Sequence, residues 1–121
     1  MAKRVMLLLI VVAAVLALGS CALCNEPPVV VISYTPTYPF ELNDVYLDAT
    51  KTTDPEGDTL TFTWSLVTIP PTSSTSIDDT TNPTTYFYAD IDGTYVVRLI
   101  VSDGPNSVQA DFDIAVSDIP S

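Results

Sequence analysis

The sequence predicts an all-β fold, an antiparallel sandwich of two sheets, and three observations carry that prediction. Large apolar side chains recur at every second position in a series of short stretches after residue 28. Pro, Gly, Asp and Asn punctuate the chain between those stretches, as strand-to-strand turns require. No window of about ten residues beyond the N-terminal leader shows helical spacing, so no helix is available to cover a sheet. Six or seven strands without a helix must bury their apolar faces against one another, and two packed sheets do so most simply.

The leader comes first. Lys3 and Arg4 precede an unbroken apolar run from Val5 to Leu18, which ends in Gly19, Ser20 and Cys21. Charge, apolar run and small residues in that order make an export signal. The run is shorter than the roughly 20 residues a membrane-spanning helix needs, so an uncleaved anchor helix is the weaker reading. Residues 1–20 are accordingly expected to be removed and to lie outside the fold. The segment Leu18-Gly19-Ser20-Cys21 resembles the lipobox of bacterial lipoproteins, which implies that Cys21 becomes the lipidated N-terminus and that residues 21–28 form a tether. Cys24 fits that junction badly, because Leu23 would stand immediately before it. Cys21 and Cys24 also match a Cys-x-x-Cys half-motif, but no second pair follows and the chain has no histidine, which argues against zinc or redox chemistry.

The domain spans residues 29–118, enough for one core. Val29 to Ser33 reads as its first strand, with Pro36 and Pro39 beyond it. In the next, Val45, Leu47 and Ala49 share one face, and Tyr46 and Asp48 the other. After Asp54-Pro55-Glu56-Gly57-Asp58 the alternation is plainest: Leu60, Phe62, Trp64 and Leu66 point to the core, and Thr61, Thr63 and Ser65 away from it. From Thr68 to Pro83 the chain is rich in Pro, Ser, Thr and Asp, an irregular connection with at most one short strand near Ser76 and Ile77. Thr85, Phe87 and Ala89 then face inward, opposite Tyr86 and Tyr88. A turn at Asp92 and Gly93 leads to Tyr95, Val97, Leu99 and Val101, and the last strand offers Val108, Ala110, Phe112, Ile114 and Val116.

The acidic turn with its tryptophan strand, the Gly-Thr-Tyr start at Gly93, the Val-x-Leu-x-Val-x-Asp-Gly continuation and the leading Pro-Pro-Val-Val-Val-Ile-Ser together resemble the polycystic-kidney-disease (PKD) type of immunoglobulin-like domain. The resemblance runs from about Pro27 to Ser117. It implies an immunoglobulin-like two-sheet sandwich and a binding or spacer module rather than an enzyme. It also implies calcium near the acidic turn, since some members of the family bind it there.

Two sets of residues stand out as candidate sites. Asp54, Glu56 and Asp58 alternate around Pro55 and Gly57, a spacing at which hard oxygen ligands converge on a cation such as calcium, and Asp103 at the end of the sixth strand can add a ligand. The competing reading is a turn whose carboxylates are solvated or cap backbone N–H groups. Tyr46, Tyr86 and Tyr88 all oppose the core phase of their strands. On one face they would form an amphipathic patch suited to stacking on sugar rings or on a protein partner, or they pair across strands simply to stabilise the sheet. Trp64 is in phase with the core and is read as a core residue. Tyr95 is read as a corner tyrosine bonding back to the backbone.

Composition excludes several functions. All fifteen acidic residues follow Cys21, against only Lys51 and Arg98, so the mature chain carries a net −13. Nucleic acid and anionic headgroups would be repelled. Without histidine, catalysis would fall to a carboxylate pair such as Asp78 and Asp79, in a domain with little room for a water-excluding cleft. The reading is a non-catalytic, lipid-anchored envelope module that binds a protein or a polysaccharide. A purely structural spacer or complex subunit is the alternative, and a small glycan-active hydrolase a remote one. Because Ala22 is not the aspartate that retains lipoproteins in an inner membrane, the expected place is the outer membrane of a two-membrane cell, or otherwise the outer leaflet of the plasma membrane.

Overall fold

Alternation of side chains dictates what forms. A computed structural model describes residues 8–12 and 24–120. Its strands are β1 (Leu8–Val12), β2 (Val30–Thr35), β3 (Asn43–Asp48), β4 (Thr61–Thr68), β5 (Thr84–Ala89), β6 (Gly93–Ser102) and β7 (Ser107–Val116). One sheet has the order β1-β2-β3-β5 and the other β4-β6-β7, with antiparallel neighbours throughout. This is the expected two-sheet sandwich.

The phase of every strand from β3 onward is the one the sequence predicts. Val45, Leu47, Phe87, Ala89, Tyr95, Val97, Leu99, Val101, Ala110 and Ile114 are fully or almost fully buried. Trp64 is buried among them, while Leu60, Phe62, Leu66 and Val108 pack partly exposed on the margin of the core. The indole N–H of Trp64 donates to the Asn82 carbonyl at 2.8 Å, so its one polar atom is satisfied. β2 runs two residues beyond its expected end, because Tyr34 also turns inward and stacks on Phe112 at 6.0 Å between ring centroids. In the irregular connection, Ile77 makes a single bridge to Phe87 and is buried. The core residues named all lie between Val30 and Val116.

Two tight places explain their residues. Gly93 has φ of 132°, and a Cβ there would meet the Pro70 ring at 2.7 Å, so only glycine lets β6 start under the connection. The Tyr95 hydroxyl accepts from the Ile91 N–H at 3.2 Å and donates to the Ile91 carbonyl at 2.6 Å, which closes the expected corner.

Residues 1–20 are expected from the sequence to be removed; in the uncleaved chain Leu8–Val12 are hydrogen-bonded to the edge of β2, with Ile10 opposite Ile32. The cause is physical: a Leu-Leu-Ile-Val-Val run has high strand propensity, and the outer backbone groups of β2 offer it an edge. The lipobox-like junction ending at Cys21 lies outside the described residues.

Candidate functional site

The acidic turn is built by its own first residue. Asp54 Oδ2 accepts the N–H groups of Glu56 and Asp58, each at 3.0 Å, and the Asp54 carbonyl accepts the Gly57 N–H at 3.0 Å. Gly57 has φ of 74°, the left-handed conformation that closes such a turn. The capping expected of a plain turn is therefore present. So is the convergence expected of a cation site: one carboxylate oxygen from each of Asp54, Glu56, Asp58 and Asp103 lies within 4.8 Å of the others. Oxygens 2.3–2.6 Å from a central calcium ion would be separated by about that much or less.

Asp103 reaches the turn from the end of β6, and it is buried. Burial raises its carboxyl pKa, but the Asn106 N–H at 2.8 Å and the Asn25 amide outweigh that and hold it below the ordinary value. Asp54 Oδ1 is buried with no hydrogen-bond partner among the described residues, an oxygen left to be satisfied. An orphaned carboxylate oxygen beside three further carboxylates is a donor set that fits a hard divalent cation.

The sequence gives no warning that the tether joins this cluster. The Asn25 side chain donates to Asp103, its carbonyl accepts from Asn106 Nδ2 at 3.0 Å, and the Glu26 N–H donates to Glu56 Oε1 at 2.9 Å. Asn106, three residues past Asp103 in Asp-Gly-Pro-Asn, is a turn signal that could have been read; Asn25 carries none. Nearby, Cys24 is disulfide-bonded, and the other cysteine of the chain, the expected lipid carrier Cys21, lies outside the described residues.

The tyrosines come together as the strand phases imply. Tyr46 on β3 is in direct register with Tyr86 on β5, and Tyr88 is opposite Asp44. The Tyr46 and Tyr86 rings lie 5.7 Å apart between centroids and are mutually tilted. All three phenols remain substantially exposed, Tyr46 at 52%. Asp78 is a neighbour that the sequence does not announce. Its N–H donates to the Tyr86 carbonyl at 2.9 Å, which pins it to the outer edge of β5. The charge of Asp78 is the main reason that the Tyr86 phenol is raised above its usual pKa, with desolvation, a hydrogen bond to Asp78 and the charge of Asp44 following. Asp79 serves a different purpose, since its Oδ1 accepts both the N–H and the hydroxyl of Thr81. Asp78 and Asp79 thus have separate structural employment.

A family model described as K319L-like, PKD domain matches residues 40–116. The chain belongs to the K319L-like PKD-domain family. PKD domains are typically non-catalytic interaction or spacer modules on extracellular or surface proteins. Among solved structures, this PKD chain is similar to a nucleoside hydrolase-related hypothetical protein from Saccharophagus degradans that is associated with carbohydrate metabolism. The TM-score is 0.59 with 20% identity, and the match covers 78% of this chain. It covers 26% of that protein, so the likeness is one of fold. No curated protein matches the PKD chain in sequence.

Proposed function

We propose that this PKD domain is a non-catalytic binding module displayed on a cell envelope, and that the Tyr46–Tyr86–Tyr88 face is its ligand surface. The observation that supports this most is the registered, exposed pair Tyr46–Tyr86 with Tyr88 beside it and the carboxylates of Asp44 and Asp78 at the margin. Flat amphipathic rings flanked by hydrogen-bond acceptors suit the apolar face and hydroxyl rim of a neutral sugar chain. The net −13 disfavours anionic polymers. A screen of the soluble domain against neutral polysaccharides by affinity electrophoresis tests the reading, with retardation expected for at least one. No retardation by any of them, together with capture of an envelope protein that survives Tyr46→Ala, would favour the spacer or subunit reading.

Anchoring by lipid at Cys21 belongs to the same proposal. A sulfur in a thioether to lipid cannot also sit in a disulfide, and Cys24 is disulfide-bonded here. Acylation at Cys21 during export would precede oxidation of the chain. Metabolic labelling with a fatty acid, lost on Cys21→Ser and retained on Cys24→Ser, is the expected outcome. The envelope location, outer membrane or outer leaflet of the plasma membrane, follows from that anchor.

Calcium is proposed as the occupant of Asp54, Glu56, Asp58 and Asp103. Because Asn25 and Glu26 bond the same cluster, an ion there would fix the tether against the domain and set how the module stands away from its membrane anchor.

A further inference from the structure

We infer that the outer edge of β2 is a pairing surface for a second copy of this chain, uncovered when the leader is removed. The inference rests on the leader reading proposed above. An edge strand carries unpaired N–H and C=O groups, and proteins protect such edges with charge, proline, bulges or cover. Three of the edges here are protected. Beside β5, Ile77 bridges Phe87 and the Asp78 N–H bonds the Tyr86 carbonyl. On β4, the Trp64 N–H is taken by the Thr80 carbonyl at 2.7 Å. Along β7, the exposed carboxylates of Asp111 and Asp113 alternate outward and deter pairing by their charge, although Asp111 is also paired with Arg98.

β2 has none of these devices. Val30–Thr35 contains no charge and no proline, and what covers it is Leu8–Val12, within the leader. Backbone direction identifies the groups concerned. Val29 exchanges bonds with Thr53, and Val31 spends its N–H and carbonyl on the Thr52 hydroxyl, both toward β3. By alternation the N–H and C=O of Val30, Ile32 and Tyr34 point outward, toward β1.

The second copy is favoured as occupant for two reasons. First, the edge accepts an antiparallel, uncharged, aliphatic strand, Leu-Leu-Ile-Val-Val, and β2 itself has that character in Val-Val-Ile. Second, an antiparallel edge can meet its own copy about a two-fold axis. The register centred on Ile32 sets Ile32 against Ile32 of the second copy and Val30 against Tyr34, so every outward group finds a partner. Val31 then stands across from Ser33 of the second copy as a close, non-hydrogen-bonded pair.

The test uses residues 25–121, which contain every core residue from Val30 to Val116 and neither cysteine, so pairing is read whether or not the leader is cleaved in the cell. Sedimentation from about 5 to 500 µM, a range that brackets micromolar association, should show a reversible monomer–dimer equilibrium. Val31→Lys with Ser33→Lys places like charges across the two-fold and should abolish the dimer; Ser33 is buried in the full chain, where Leu9 of the leader stands opposite it, and with residues 1–24 absent a charge there has Asp48 of β3 beside it. Val31→Glu with Ser33→Lys should restore it. Hydrogen exchange provides a readout without substitution: the amides of Val30, Ile32 and Tyr34 should be protected at high concentration and exchange at low. A chain monomeric throughout the range, or a dimer indifferent to both double variants and to those amides, would overturn the inference. The intact mass of the exported protein reports leader removal separately.

Discussion

Trp64 and Thr63 are neighbours in sequence with opposite environments, and the difference can be measured. Trp64 is almost wholly buried with its N–H satisfied, whereas Thr63 is exposed. Trp64→Ala should cost about 3–5 kcal/mol through lost burial and a residual cavity, and Thr63→Ala far less; denaturant midpoints in the reverse order would mean that the β4 phase is inverted. Asp90 supports a pH prediction. The Ser73 hydroxyl at 2.6 Å holds its carboxyl below the ordinary range, against opposing desolvation, with help from the Ser74 N–H at 2.8 Å and the Tyr95 hydroxyl. A folded pKa below the unfolded value stabilises the fold above the unfolded value, about 3.9, and that contribution is lost as pH falls through the folded value. Asp90→Asn should therefore melt lower than wild type at neutral pH, and the gap should narrow as the pH drops below about 4. A gap constant with pH would assign the effect to packing. Burial of Trp64 and the Tyr95 corner were legible in the sequence because period-two phase decides them locally. The partners of Asp90 were not, since Ser73 and Ser74 reach it through a connection that has no period.

At the scale of elements, the acidic turn combines two physical roles that the sequence leaves as alternatives. Asp54 caps the turn through Oδ2 while its Oδ1 is buried without a hydrogen-bond partner, and one of its oxygens lies within 4.8 Å of the other three carboxylates. Asp54→Ala should thus destabilise the domain even without metal, by about 1–2 kcal/mol for a lost cap. Asp58 contributes an exposed carboxylate and no cap, so Asp58→Asn should leave the metal-free fold intact and remove the calcium response. Calcium at millimolar concentration should raise the melting temperature of the wild-type domain more than magnesium does, because the larger ion suits a loose oxygen cage. Equal melting temperatures with and without calcium, and no heat in a calorimetric titration, would leave the segment as a turn only. The meeting of Asp54, Glu56 and Asp58 with Asp103 was legible, because the turn before β4 and the end of β6 lie together once β4 pairs with β6, Thr61 opposite Ser102. The docking of Asn25 and Glu26 was not, because a tether of no pattern is placed only by tertiary contact. Likewise β1 was not foreseen, because the charge and apolar run of the leader read as an export signal, and its strand propensity shows only where β2 offers an edge.

For the whole molecule, the sandwich separates stability from recognition. The core is filled by inward side chains of both sheets, and the Tyr46–Tyr86–Tyr88 face lies on the other side of β3 and β5. A cross-strand aromatic pair contributes only about 0.2–1 kcal/mol, so those rings can be removed without unfolding the domain. The central claim, that the tyrosine face binds while the core merely supports it, is therefore open to a direct test. The soluble domain and its Tyr46→Ala, Tyr86→Ala double variant are compared in one titration against the neutral polysaccharide that retards the wild type, with thermal melting of both alongside. The account predicts binding lost in the double variant while its melting temperature falls by only a few degrees, the shift expected of a loss near 1 kcal/mol in a domain of this size. Undiminished binding by a folded double variant would contradict it.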